Sequence, residues 1–254
     1  MNDNKVMNRA ADNIRILAAS MVEKAKSGHP GGAMGGADFI NTLYSEFLVY
    51  DPENPTWEGR DRFFLDPGHM APMLYSQLAL IGKYTLEDLK NLRQWGSVTP
   101  GHPERELARG IENTSGPLGQ GIALAVGMAV AETMLAARFN TAQHTIVNHY
   151  TYALVGEGCL EEGVSSEACS FAGHNKLGKL IVFYDENRIS IDGSTDITFT
   201  EDIAKRYEAY GWQVLRGSMY DVAEILRLTE QAKAETQKPT LIMLKSVIGK
   251  FSPK

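Results

Sequence analysis

The chain has 254 residues, of which 43% are hydrophobic, so it is long enough to bury the core of one large domain or two small ones. We expect one domain over residues 1–254, because no repeat, low-complexity tract or linker divides the sequence. The net charge is −6 and the 25 basic residues are dispersed along the chain, which argues against nucleic acid as a partner.

The cysteines and the N-terminal residues favour a cytoplasmic protein. Cys159 and Cys169 lie ten residues apart in one predicted helix, a rise of roughly 15 Å that is too long for a disulfide and fits a reducing compartment. The opening residues, MNDNKVMNRAADN, have neither signal-peptide nor transit-peptide character. No apolar run approaches the ~18 residues that span a bilayer. We therefore predict a soluble, cytoplasmic protein without a membrane partner.

The first part of the chain predicts helices separated by glycine and proline. Apolar residues at steps of three and four make residues 6–26 an amphipathic helix, which ends at the glycines and proline of 27–32. The apolar run 62–65, followed by Asp66-Pro67-Gly68, predicts a buried strand and a turn. Further helices are expected over residues 34–48 and 69–81.

Residues 96–117 predict a functional loop, and a central helix follows it. The loop is polar and rich in glycine and proline, and compact domains seldom keep so long an irregular segment without a function. From Leu118 to Arg138 nearly all residues are small or apolar, so this helix is expected to be buried on most of its sides.

From residue 152 onward, predicted strands alternate with predicted helices. The strands are continuous apolar runs and the helices have about ten residues or more, a pattern typical of βαβ crossovers in a parallel sheet. The predicted fold class is α/β, a doubly wound, mostly parallel sheet with helices on both faces. The expected strands are 152–155, 180–184, 212–215 and 240–245, and the expected helices are 160–174, 201–210 and 220–236.

A glutamate between two glycines follows the first of these strands. Gly156-Glu157-Gly158 lies where a doubly wound sheet binds its ligands, outside the C-terminal ends of the strands. The glycines permit a tight turn and close approach of another group, and Glu157 could ligate a metal ion. A second interpretation stays open, in which Glu157 only favours the positive end of the following helix.

Asn187 follows the next strand, thirty positions after Glu157, which is the length of one βαβ step. Two oxygen ligands from adjacent strand ends, with further oxygens from a diphosphate, suit Mg²⁺, which protein groups alone rarely enclose. The pair therefore predicts a metal and diphosphate site. Asp192 and Gly193 are expected to close a turn just beyond it.

Six motifs, in order along the chain, resemble those of the transketolase family. One of them, which begins at Gly156 and includes Asn187, resembles the family's thiamine-diphosphate signature, in which Gly-Asp-Gly is followed at a distance by asparagine. The resemblance is to the N-terminal, pyrophosphate-binding half of the family's enzymes, as in the first subunit of a transketolase split over two polypeptides. The other motifs are SGHPGG (27–32), GHM (68–70), PGHPE (100–104), TSGPLGQG (114–121) and RYEAYGW (206–212).

The resemblance implies thiamine diphosphate and a divalent metal ion as cofactors. It assigns the metal ion, Mg²⁺ or else Ca²⁺ or Mn²⁺, to Glu157, the side chain of Asn187 and the main-chain carbonyl of Ile189. The implied cofactor contacts are His69, Gly158 and Asn187 near the diphosphate, Gly116 and Leu118 along the rings, and Ile191 and Ile248 at the thiazolium.

His29 and His102 match family histidines that meet the sugar substrate and assist proton transfers. Imidazole suits that role because it titrates near neutral pH. Glu162 matches a glutamate that is buried at a dimer interface and helps to couple two active sites. From the residues alone, a histidine in such a loop is more often a surface or capping group, and Glu162 would be an exposed helix residue.

The implied activity is that of a transferase in carbohydrate metabolism, the pentose phosphate pathway. It would move a two-carbon ketol unit from a ketose phosphate to an aldose phosphate. The family's pyrimidine-binding domain is absent from this chain, so we expect activity only with a C-terminal partner subunit, as a heterotetramer. Two alternatives stay open: a split transketolase for an unusual sugar phosphate, and a non-catalytic cofactor-binding subunit with a decayed metal site.

Position 157 departs from the family, which has aspartate there. The extra methylene shifts the carboxylate by about 1.5 Å, whereas Mg²⁺ tolerates little deviation from contacts of ~2.0–2.1 Å. We therefore expect Glu157 to ligate with a shifted backbone or a lower affinity, or to hold a more tolerant ion such as Ca²⁺ or Mn²⁺.

Overall fold

The computed structural model describes residues 2–191 and 193–253. Five parallel strands form the main sheet in the order β1-β2-β3-β7-β6, and β4 and β5 form a separate antiparallel pair. Asp192, in the turn predicted between β4 and β5, lies outside the described residues. The strands are β1 (Arg62–Leu65), β2 (Thr151–Val155), β3 (Leu180–Glu186), β4 (Ile189–Ser190), β5 (Gly193–Ser194), β6 (Gln213–Ser218) and β7 (Thr240–Lys245).

Helices cover both faces of the sheet, so the predicted doubly wound α/β fold is confirmed. Helices α1 to α5 and α10 contribute to the apolar core on one face, and α6 to α9 contribute to the core on the other. The helices are α1 (Asn4–Ala25), α2 (Pro30–Gly35), α3 (Ala37–Thr42), α4 (Ala71–Leu80), α5 (Leu86–Lys90), α6 (Gln120–Phe139), α7 (Glu157–Glu161), α8 (Gly163–His174), α9 (Ile203–Ala209) and α10 (Val222–Ala234).

The central strands are buried on both faces, which explains why they are continuous apolar runs rather than alternating ones. Every residue of β2 is buried, as are all but the last residues of β3 and β7. The register pairs Val155 with Tyr184, so β2 and β3 end side by side. This pairing brings the segments that follow the two strands to one edge of the sheet.

Two predicted helices are interrupted. The helix expected over 34–48 is instead α2, α3 and a π-helical turn over Leu43–Phe47, and α2 already begins at Pro30, because proline is well tolerated in the first turn of a helix. The helix expected over 160–174 is divided at Glu162, whose extended backbone separates α7 from α8. Cys159 and Cys169 therefore lie in different helices, and both are free and buried.

The expectation that the central helix is buried on most sides is wrong for this chain. Helix α6 buries one face against the sheet, and Leu124, Met134 and Phe139 on the rest of it are 49%, 67% and 46% exposed. The prediction that no apolar run reaches spanning length is also wrong. Among the described residues α6 alone is long and apolar enough to cross a membrane, a property that core helices of soluble proteins share.

Candidate active site

The acid after β2 and the amide after β3 meet at the C-terminal edge of the sheet. Glu157 is 3% exposed, and its Oε1 accepts hydrogen bonds from the backbone N–H groups of Asn187, at 2.8 Å, and Arg188, at 2.5 Å. Both of these loop N–H groups bind Oε1 rather than Oε2. The longer side chain of glutamate thus reaches the loop after β3.

Burial, with a smaller contribution from the nearby carboxylate of Asp185, raises the pKa of Glu157 to about 7, although the backbone N–H groups of Arg188, Glu157 and Asn187 partly oppose the shift. Burial likewise raises the pKa of Asp185 to about 6. In the described part of the chain, no cationic side chain forms an ion pair with either acid. Two buried acids without a cation form an environment that favours binding of a positive ion.

Asp185 is a site residue to which the sequence analysis assigned no role. Its Oδ2 accepts a hydrogen bond from the Asn187 side-chain nitrogen at 3.2 Å, and its Oδ1 accepts one from the hydroxyl of Ser246. The bond to Asn187 turns the amide nitrogen of Asn187 toward Asp185. The amide oxygen of Asn187 therefore points to the other side, where it accepts the backbone N–H of Ile189 at 2.9 Å. An acid at the end of an otherwise apolar strand was the available signal.

Three histidines from separate loops lie close together. The rings of His29 and His69 have centroids 5.1 Å apart, and the ring of His102 contacts Gly116, where an added Cβ would lie 3.4 Å from His102 Cγ. Burial lowers the pKa of His69 to about 4, and the neighbouring His29 and His102 contribute to the shift. Burial also lowers the pKa of His102, with smaller effects from Arg93 and His29. His69 and His102 are therefore neutral at pH 7.

The loop before α6 contacts both the histidine cluster, through Gly116, and the turn of Glu157 and Gly158, through Leu118. An added Cβ on Gly158 would stand 2.9 Å from Cδ1 of Leu118, so these two predicted cofactor residues are in contact. Gly119 has φ +81° and an added Cβ there would lie 2.6 Å from Cβ of Glu162, so only glycine fits. Glu162 is exposed in the single chain, and its burial at an interface stays a prediction.

Ile248 and Ile191 differ in how close they lie to this cluster. An added Cβ on Gly31 would be 2.6 Å from Cγ1 of Ile248, so Ile248 borders the loop that carries His29. Ile191 is 96% exposed and stays a prediction as a cofactor contact. The predicted site residues, with the exception of Ile191, therefore come from segments that meet at one edge.

The donor set fits a divalent ion that also has diphosphate oxygens as ligands. In the described residues no group of three or more His, Cys, Asp or Glu side chains could hold a metal. The predicted ligands are one carboxylate, the Asn187 amide oxygen and the Ile189 carbonyl, all of them oxygen donors of the kind that Mg²⁺ prefers. Oε2 of Glu157 is free of the two loop hydrogen bonds, and Gly158 keeps the approach open.

Comparison with known proteins decides the family. Residues 6–254 match the family model described as transketolase, thiamine diphosphate binding domain. The chain belongs to this family. Thiamine diphosphate is accordingly the cofactor of the domain, and a divalent metal ion is typical of its members.

Transketolases of known sequence and structure resemble the chain closely over part of their length. The transketolase of Treponema pallidum is 59% identical over 98% of this chain and 38% of that protein, and transketolase 1 of Escherichia coli is 55% identical over 96% and 37%. A crystal structure of Pichia stipitis transketolase in complex with sedoheptulose 7-phosphate superimposes with a TM-score of 0.92, at 46% identity over 96% of this chain and 36% of that one. The chain thus spans less than two fifths of these relatives.

Proposed function

We propose that residues 1–254 form one pyrophosphate-binding domain of a cytoplasmic transketolase, which transfers a two-carbon ketol unit from a ketose phosphate to an aldose phosphate. The observation that carries the proposal is the meeting of Glu157 and Asn187 at adjacent strand ends, where Gly158 contacts Leu118 and the loop of Leu118 packs through Gly116 on Gly68, next to His69. Acid and amide oxygens suit the metal, and neutral imidazoles and backbone N–H groups suit a diphosphate and a sugar.

Each group has a role that follows from its chemistry. Glu157 Oε2, Asn187 Oδ1 and the Ile189 carbonyl would hold the metal ion, and Gly158 leaves room for the diphosphate beside it. Thiamine diphosphate supplies a nucleophilic thiazolium carbon when bound. His102 is neutral at pH 7, because its pKa is lowered by burial, so its ring nitrogen can accept a proton from a substrate hydroxyl.

The proposal includes a partner chain that carries the pyrimidine-binding domain, in a heterotetramer with two of each chain. It is supported by the apolar surface of α6 and α8, since large exposed apolar patches mark interaction sites. That surface includes Leu124, Met134, Leu135, Phe139, Val164 and Phe171, all at least 40% exposed.

An assay of ketol transfer tests the proposal. Sedoheptulose 7-phosphate serves as donor with an aldose phosphate as acceptor, in the presence of thiamine diphosphate and Mg²⁺. The remainder of the Treponema pallidum transketolase, beyond the segment matched by this chain, serves as the partner. We expect no turnover by this chain alone and turnover by the mixture. Turnover by the chain alone would contradict the need for a partner, and absence of cofactor binding by the mixture would contradict the function.

A second candidate is a non-catalytic cofactor-binding subunit, favoured by one observation. Oε1 of Glu157 already accepts two backbone N–H groups, a use of the carboxylate that competes with metal binding. Titration of the mixture with Mg²⁺, Mn²⁺ and Ca²⁺, for the wild type and Glu157→Asp, separates the two candidates. Cofactor binding without turnover under all three ions would favour the non-catalytic subunit.

A further inference from the structure

Within the described residues, a buried carboxylate at the end of β1 accepts hydrogen bonds from backbone N–H groups at the start of α6. Asp66 directly follows β1 and is 0% exposed. Its Oδ1 accepts the backbone N–H of Gly119 at 2.8 Å, and its Oδ2 accepts that of Ile122 at 2.8 Å. Asp66 therefore caps α6 from a different element of the fold.

This cap replaces one that the helix cannot form by itself. The first N–H groups of a helix have no partner within the helix and are normally satisfied by a side chain at the N-cap residue. The N-cap residue of α6 is Gly119, which has no side chain. Two charge-assisted hydrogen bonds, one to each oxygen, fix the carboxylate and the start of the helix relative to each other.

Close packing holds the same segments together. An added Cβ on Gly121 would lie 2.5 Å from Cα of Asp66, and one on Gly68 would lie 2.7 Å from the backbone nitrogen of Gly116. The segment from Asp66 to His69 therefore runs in direct contact with the segment from Gly116 onward. A shift of one segment relative to the other would move the imidazole of His69 away from Gly116 and Leu118, the predicted contacts of the cofactor rings.

A third segment reaches the same carboxylate. The thiol of Cys159 lies beside Asp66, and burial, with Asp66 as the next contribution, raises the pKa of that thiol. Cys159 directly follows Gly158 in α7. The three segments that end near Asp66 thus carry His69, Leu118 and Gly158, which are the predicted contacts of the diphosphate and the rings.

We propose that Asp66 is a positioning residue for the cofactor, one that holds the loop 114–119 in register with His69 and Gly158 without contacting the cofactor itself. The proposal rests on the proposed function, because it assigns Asp66 to the thiamine-diphosphate pocket. Loss of the carboxylate frees the loop, and the cofactor must then order it on binding, which weakens binding.

The opposite end of the same strand offers a matched control. Asp61 directly precedes β1, is 5% exposed, and accepts the backbone N–H groups of Val49 at 3.0 Å and Tyr150 at 2.7 Å. It has the same chemistry as Asp66, but it lies at the edge of the sheet away from the site. Asp66→Asn and Asp61→Asn each replace one accepting oxygen with an N–H donor, so both lose one of two backbone hydrogen bonds.

The experiment compares the two variants with the wild type, with the chain alone and with its partner half. Hydrogen exchange of the chain alone reports on the backbone N–H groups of Gly119 and Ile122, and titration of thiamine diphosphate with Mg²⁺ reports on the pocket in the mixture. We expect Asp66→Asn to lose protection at one of the two N–H groups, the one that faces the new amide nitrogen, to bind thiamine diphosphate about tenfold more weakly, and to keep its turnover number once the cofactor is saturating. Asp61→Asn should match the wild type in all three.

Four outcomes decide the question. Thiamine diphosphate binding by Asp66→Asn within twofold of the wild type would overturn the inference, and so would equal weakening in Asp61→Asn. A lower turnover number at saturating cofactor would also overturn it, since it would assign Asp66 to the chemistry. Failure of the wild type to bind the cofactor would instead overturn the proposed function and the inference with it. If Asp66→Asn does not fold, Asp66→Ser, which keeps one hydroxyl acceptor, is measured in its place under the same criteria.

Discussion

At the N-terminal edge of the sheet two glutamates with buried side chains, Glu112 and Glu132, form ion pairs within the chain, whereas in the described residues the buried acids Glu157 and Asp185 at the C-terminal edge form none. Before β1, Arg60 forms a bidentate ion pair with Glu112 at 2.9 and 3.1 Å, with side chains only 8% and 9% exposed. Before β3, Lys179 pairs with Glu132 at 2.5 Å. At the other edge, Glu157 accepts only N–H groups.

We propose that the difference separates groups that stabilise the fold from groups that bind a ligand. A buried ion pair balances its own charge, but a buried acid without a cation costs free energy until a positive ion arrives. The raised pKa of Glu157, about 7, and the lowered pKa of His69, about 4, both come mainly from burial without a compensating charge. In the proposed function, a metal ion and a diphosphate would supply the charges that these groups lack.

The largest effect on binding that this comparison predicts concerns the metal ion and the cofactor. Glu157→Gln keeps an oxygen for the two loop N–H groups but removes the charge, so the affinity for Mg²⁺ with thiamine diphosphate should fall at least ~100-fold. The measurement is a calorimetric titration of the mixture with its partner half. The control is Glu112→Gln, at the N-terminal edge of the sheet, which should bind the cofactor as the wild type does. An unchanged affinity in Glu157→Gln would remove Glu157 from the metal site.

At the N-terminal edge of the sheet, the predicted effect is on the stability of the fold. Glu112→Gln leaves Arg60 buried without its carboxylate, so the free energy of unfolding should fall by about 3–5 kcal/mol. Urea denaturation at pH 8 measures it. A loss below about 1 kcal/mol would mean that the guanidinium finds another partner, and the contrast between the edges would weaken.

The pH dependence of stability also tests this comparison, because the N-terminal edge of the sheet holds a buried histidine, His149, as well as the ion pairs. Burial, with Arg62 next in size, lowers the pKa of His149 to about 4, and its Nδ1 has no hydrogen bond within the described residues. The unfolded state takes up a proton below pH 6.5 while the folded state does not, so this stability is full above pH 6.5 and is lost as the pH falls toward 4.

Replacement of His149 should make stability depend less on pH between 6.5 and 4. His149→Asn should lose up to about 3 kcal/mol less between pH 6.5 and 4 than the wild type does. Denaturation at half-unit pH steps measures the two curves. Parallel curves would show that the acid sensitivity comes from other groups, of which His69 is the first candidate because its pKa is also about 4.

The smallest predicted effect tests a residue whose role rests on the family alone. Ile191 is 96% exposed, so Ile191→Ala should change the free energy of unfolding by less than about 0.5 kcal/mol. If the side chain packs on the thiazolium, cofactor affinity should fall about tenfold from the lost apolar burial. An affinity equal to that of the wild type would remove Ile191 from the site.

Local patterns predicted most of the fold. The apolar periodicity of α1 and the buried runs of β2, β3 and β7 depend on neighbours in sequence and on burial, and they were found within a few residues. Helix α5 was missed although Thr85 and Asp88 form a capping box, a signal that the sequence carries. The exposed face of α6 was not predictable, because composition gives the apolarity of a helix but not how much of it packs on the sheet.

The candidate site was predictable where residue types carried the chemistry. Glu157 and Asn187 were paired from their spacing, and the structure joins them. Asp66 and Asp185 were not found, because their roles depend on which backbone N–H or amide group the fold brings to them, and spacing along the chain does not specify that. The unusual glutamate was noticed, but its bonds to the loop after β3 were not predictable from the sequence.

The sign of two stability changes tests the contrast between the edges most directly. Urea denaturation of Glu157→Gln and Glu112→Gln at pH 8, without metal or cofactor, compares an unpaired acid with a paired one. Above pH 7 the ionised Glu157 lowers the free energy of unfolding by up to about 3 kcal/mol, because its pKa in the folded chain lies above the ordinary value. We predict that Glu157→Gln is more stable than the wild type and Glu112→Gln is less stable; destabilisation of both would contradict the account.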